Sequence, residues 1–131
     1  MTVITVPEPT VATVRTPSWK SGLVTGVIAA VVTSVVAVAA RAIGIPLDIE
    51  GEAIPILGFA QMVLLGTVIG IVLARRLARS TFIMTTVVLT ALSIVPDGLA
   101  DTGTATKLTL ALTHVVAAAI VIPRLAGPAT D

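Results

Sequence analysis

Cysteine is absent from this chain, so no disulfide, thiolate nucleophile or thiolate metal site can form, and the redox compartment leaves no mark on it. Tyrosine is absent too, Trp19 is the only tryptophan, and aromatics make up 2% of the residues, which leaves no conventional aromatic belt for a membrane interface. Charge is scarce. Only 11% of the residues are Asp, Glu, Lys or Arg and the formal net charge is +1, which excludes the basic surface that nucleic-acid binding requires. What fills the chain is Val, Ala, Leu and Ile: 56% of its 131 residues are hydrophobic and its mean hydropathy is +1.09, far above ordinary soluble domains.

The apolar residues come in four runs. Residues 1–18, with Pro7, Pro9 and Pro17 among Thr, Val and Glu8, neither build a helix nor bury a core, and read as a flexible cytoplasmic tail. From about Lys20 to Ala40 no charge interrupts the chain, a length of roughly 31 Å at 1.5 Å per residue and one hydrocarbon thickness. Arg15 and Lys20 ahead of a stretch ending in Ala37-Val38-Ala39 have the form of a cleavable signal peptide, but the long leader and full-length run favour a retained span. A wet loop with Asp48, Glu50 and Glu52 follows, broken by Gly44, Pro46 and Gly51.

Span two is expected over about 54–74, ending at the arginine turn of Arg75, Arg76 and Arg79. Span three, about 81–96, is short at roughly 23 Å before Pro96, and Pro96-Asp97-Gly98 with Asp101 reads as a polar outer connection. Span four, about 106–122, stops at Pro123-Arg124, leaving 125–131 as a short cytoplasmic tail. The fold class expected is all-α: an integral membrane four-helix bundle, up-down-up-down because the linkers are short. Arg15, Lys20, Arg75, Arg76, Arg79 and Arg124 fall on one side and only Arg41 and Lys107 on the other, which orients both termini inward.

Three features stand out as candidates. Gly22 with Gly26 and Gly66 with Gly70 form two GxxxG patterns, which let helix backbones approach closely, either within one bundle or across an oligomer seam. Ser34, Gln61, Thr90 and His114 each lie seven residues from an outer helix end, roughly 10 Å deep, and would form one polar layer in which Gln61 and His114 face inward and bond each other, Thr90 or Ser34. His114 is alternatively a proton relay, a ligand contact or a haem ligand, as an ionisable residue in hydrocarbon is a functional candidate by default. No cofactor is expected: a lone His with Met62 and Met84 makes a poor axial pair, and a metal site from His114, Asp97 and Asp101 needs the outer connection to fold back. The third feature is the acidic outer set of Asp48, Glu50, Glu52, Asp97 and Asp101, either solvated loop charge or a cation-attracting vestibule above Gln61 and His114.

The stretches Gly44-Ile-Pro-Leu-Asp48, Ile54-Pro-Ile-Leu-Gly-Phe59, Arg79-Ser-Thr-Phe82, Thr86-Val-Val-Leu-Thr-Ala-Leu-Ser93, Pro96-Asp97 and Ala111 through His114 to Pro123 resemble an uncharacterised family of small actinobacterial membrane proteins, a domain of unknown function. The resemblance covers nearly everything beyond the tail. It implies four spans in a bacterial plasma membrane, with Pro96, Asp97 and His114 as pattern positions, and brings no activity. Small multidrug exporters resemble the chain in length and span count only, since span one lacks the embedded glutamate they use.

The leading expectation is a non-enzymatic membrane protein, its partners the lipid bilayer and either a second copy of itself or a larger membrane protein met through the glycine faces. The alternative is a small transporter or channel whose acidic vestibule leads to Gln61 and His114. A third reading, a small-ligand or enzyme site in the bundle, uses His114 with Asp97 or Asp101 as acid and base, and requires hydrogen-bond reach between them.

Overall fold

The computed structural model describes residues 17–49 and 51–127. The tail read as flexible therefore falls, except for Pro17 and Ser18, outside the described residues, as do Glu50 and residues 128–131. Four helices stand where the four apolar runs do: α1 (Trp19–Ala42), α2 (Ile56–Arg76), α3 (Arg79–Leu99) and α4 (Thr104–Ala126). Each is long and apolar enough to cross a membrane. Between α1 and α2 lies a two-residue antiparallel hairpin, β1 (Asp48–Ile49) and β2 (Glu52–Ala53), with Gly51 at φ 82 in its turn.

The helix ends have local causes. Ser18 caps α1 by accepting from the Ser21 N–H at 3.1 Å. At its other end Gly44, at φ 91, gives its N–H to Arg41 O and Ile45 gives its own to Ala40 O, the paired bonds of a Schellman motif. Two prolines expected to end spans do not. α3 continues through Pro96 to Leu99, and α4 through Pro123 to Ala126, where Gly127 at φ 74 closes it. A proline keeps a helical φ and forfeits one backbone hydrogen bond, so a helix held by its neighbours can carry it through the last turn.

Packing is inside out relative to a water-soluble bundle. The buried face of α1 is Gly22, Thr25, Gly26, Ala29, Ala30, Thr33, Ala37 and Ala40, while Val24, Val27, Val31, Val35 and Val38 point outward. Small residues inside and large aliphatics outside are what helices use where the solvent is hydrocarbon, because association there depends on close contact and not on escape from water. The buried threonines follow the same logic. Thr25, Thr33, Thr67, Thr86, Thr109 and Thr113 all return their hydroxyls to carbonyls three or four residues back on their own helices, so none carries an unpaired polar group inward.

Both phenylalanines anchor a cluster. Phe59 packs with Ala37, Ala40, Leu47 and Leu110 near the hairpin; Phe82 packs with Ile71 and Leu125 at the opposite end. α1 packs closely on α2 and α4, whereas α3 leans chiefly on α4 and touches α2 sparsely, although only Leu77 and Ala78 separate α2 from α3. The helices thus do not form an even square in which each sequence neighbour is a packing neighbour.

The glycines divide between two uses. A Cβ on Gly22 would lie 2.6 Å from Ile71 Cδ1, and one on Gly26 would lie 2.7 Å from Thr67 Cγ2, so both belong to the α1–α2 seam. Gly70 faces Leu125 of α4, and Gly66 meets nothing within 4 Å among the described residues. The first GxxxG is consumed within the chain, and the second is split between Gly70, which packs inside, and Gly66, which lies open among the described residues.

Candidate functional site

The two ends of the molecule differ in charge. One end gathers Lys20, Arg75, Arg76, Arg79 and Arg124, with Arg75 Nη1 donating to Pro17 O at 2.9 Å and Arg79 Nε to Gly127 O at 3.3 Å. These bonds tie the end of α2 to the approach to α1 and the start of α3 to the end of α4. The other end holds Arg41, the hairpin, Asp97, Asp101 and Lys107. There Arg41 donates to Ile54 O and Thr106 to Pro46 O, and Thr102 donates to Asp48 O at 2.6 Å.

At the second end α3 stops low. Asp97 lies two residues before its end, yet it meets His114, ten residues into α4 and so about 15 Å from the start of that helix. The first turns of α4 therefore extend beyond α3 toward the hairpin, and Asp97 sits deeper than a connecting-loop residue. Its assignment to a polar outer connection is corrected on this point: continuation of α3 past Pro96 carries the carboxylate onto the helix seam.

His114 Nδ1 is 3.1 Å from Asp97 Oδ2 and 2.9 Å from Leu110 O. With two acceptors at one nitrogen, an Nδ1–H is the tautomer that suits the site, and its hydrogen is directed to the Leu110 carbonyl one turn back. Asp97 Oδ2 is buried and receives no hydrogen bond from the described residues. The side chains are 16% exposed for Asp97 and 35% for His114, so the carboxylate is enclosed while the ring has an open flank. Lys107, seven residues and two turns before His114 on the same side of α4, donates from Nζ to Gly98 O at 2.9 Å and places a cation at the C-terminal end of the α3 dipole.

Nδ1 has a single in-plane site, so a proton bridges Oδ2 and Nδ1 only when the ring turns that site from the Leu110 carbonyl to Asp97. The pair can hold a proton, pass it on or act as acid and base, and the unpaired oxygen can accept from a cationic donor. Among the described residues no three His, Cys, Asp or Glu side chains converge as metal ligands would.

The remaining expected residues are dispersed. Gln61 is exposed and makes no hydrogen bond among the described residues, which corrects its inward placement. The buried side of α2 is Phe59, Thr67, Gly70 and Ile71, and a position two residues after Phe59 lies about 200° round the helix from it. Thr90 returns its hydroxyl to Thr86 O at 2.8 Å, so the layer of Ser34, Gln61, Thr90 and His114 is not a bonded network. Asp101 is exposed beyond α3, and Glu52 is exposed on the hairpin. Sequence reasoning missed Lys107 as a partner of α3; its seven-residue spacing from His114 was the available signal, since such a pair shares a helix face.

A family of unknown function, DUF6069, matches residues 13–131, and the chain belongs to it. No curated protein and no solved structure shows a significant similarity to the chain.

Proposed function

We propose that this is a multi-pass protein of a bacterial plasma membrane, both termini cytoplasmic, that works as a small transporter or channel for cations, with proton exchange at the Asp97–His114 pair as its central step. One observation carries the reading: a buried carboxylate oxygen without a donor among the described residues, 3.1 Å from the only imidazole in the chain, on a seam between two apolar helices. Ionisable groups are rare at such positions and mark ion and proton pathways. The acidic hairpin end supports entry of cations from the side opposite the arginines, and the excess of Lys and Arg at the other end supports its cytoplasmic placement.

The test uses the full chain in vesicles that contain a pH-sensitive dye, with a potassium diffusion potential as the driving force. Protein-dependent proton flux that vanishes in both Asp97→Asn and His114→Ala, each with an unchanged thermal melt, is the expected result. Flux no greater than that of empty vesicles, or flux indifferent to both substitutions, would end the proposal.

Assembly keeps one supporting observation. Gly66 faces open space on a side of α2 that also exposes Met62, Leu65 and Ile69, where a helix of a second copy could approach closely. A native mass spectrum from the membrane decides it: a discrete multimer that Gly66→Leu dissolves supports a seam there, and a monomer removes it.

A further inference from the structure

The arginine-rich end contains a second built feature. A groove of about 570 Å³ opens between the start of α1 and the end of α4, lined by Ser18, Lys20, Ser21, Val24, Thr25 and Arg124. Among the described residues its charge is of one sign, and the two cations come from different helices. Arg75 and Arg79 at the same end are committed to backbone carbonyls, while Lys20 and Arg124 are exposed and make no ion pair among the described residues.

The remaining walls suit an anion. Ser18 Oγ accepts from the Ser21 N–H, which leaves the Ser18 hydroxyl hydrogen free to donate, and the Ser21 hydroxyl has no hydrogen bond among the described residues. The start of α1 adds its unpaired N–H groups and the positive end of its dipole. Deeper along α1 the lining becomes Val24, continuous with the outward valines of that helix, and Trp19 is exposed beside the mouth, the residue type that sits at headgroup depth.

We infer that this groove binds the phosphate of an anionic phospholipid, with Lys20 and Arg124 on the phosphodiester, the serine hydroxyls on its oxygens and the acyl chains along the valine face of α1. A basic pocket between membrane helices is a recognised setting for such headgroups. The inference rests on membrane residence and not on the proton reading, so either can fail without the other. A free phosphate shares the headgroup chemistry but has no use for the apolar wall.

The experiment is native mass spectrometry of the full chain from nanodiscs of equal phosphatidylglycerol and phosphatidylcholine. Preferential retention of phosphatidylglycerol is expected, reduced about fivefold by Lys20→Gln or Arg124→Gln and about thirtyfold by the pair, at about 1 kcal/mol per basic residue. Arg76→Gln, at the same end but outside the groove, should leave retention unchanged. Equal retention of both lipids, or a loss in Arg76→Gln matching that in Arg124→Gln, would overturn the site. Displacement of phosphatidylglycerol by millimolar inorganic phosphate would overturn the lipid as its occupant.

Discussion

The α1–α2 seam and the α3–α4 seam are built from opposite materials. The first closes on Gly22, Gly26, Ala29, Thr33 and Thr67, residues small enough for backbones to meet and with every buried hydroxyl returned to its own helix. The second belongs to a helix with little of its surface covered, and at its low end holds a carboxylate and an imidazole that do not fully satisfy each other. A seam without unpaired polar groups can only hold a shape. A seam with one unpaired oxygen can respond to a proton or a cation, and α3, leaning chiefly on α4, is the helix with most freedom to respond.

Breaking this contrast should produce effects of graded size. Asp97→Asn should abolish potential-driven proton flux in dye-loaded vesicles while leaving the thermal melt in place, because it removes charge but not volume. Gly26→Leu should act on the other seam alone, lowering stability by about 1–3 kcal/mol through overpacking against Thr67, read as a loss of folded protein in mild detergent. A Gly26→Leu protein as stable as the parent would show that the α1–α2 contact is not close.

Smaller changes sharpen the picture at the hairpin end. Thr106→Val removes the bond to Pro46 O that ties α4 to the hairpin approach, and should cost about 1 kcal/mol, with faster amide exchange in residues 45–49. Lys107→Gln withdraws the cation from Gly98 O and should cost about 0.5 kcal/mol, seen as faster exchange confined to the last turn of α3. Gly66→Leu should change monomer stability least, within about 0.5 kcal/mol, since its Cβ meets nothing within 4 Å. Its effect on oligomer state is a separate reading.

Much of the fold was legible because hydrocarbon length and helical rise leave few solutions for four apolar runs joined by short linkers. Gly44 and Gly51 were legible as breaks, and both take positive φ. The continuation of α3 past Pro96 was not, since a proline beyond the first turn forfeits one hydrogen bond and the neighbouring helix decides whether the last turn survives. Gln61 was misplaced for a related reason: counting residues inward gives depth along a helix and says nothing of its rotation about the axis.

The sequence by itself determined that the chain forms four apolar helices with basic and acidic ends, because composition, run length and charge are properties of local segments. Tertiary structure alone decided that Gly22 and Gly26 serve the chain's own packing while Gly66 stays open, and that Asp97 and His114 meet whereas Gln61 points away. The physical reason is that contact across a seam depends on each helix's rotation and on the height at which it ends, and both follow from how whole surfaces interlock.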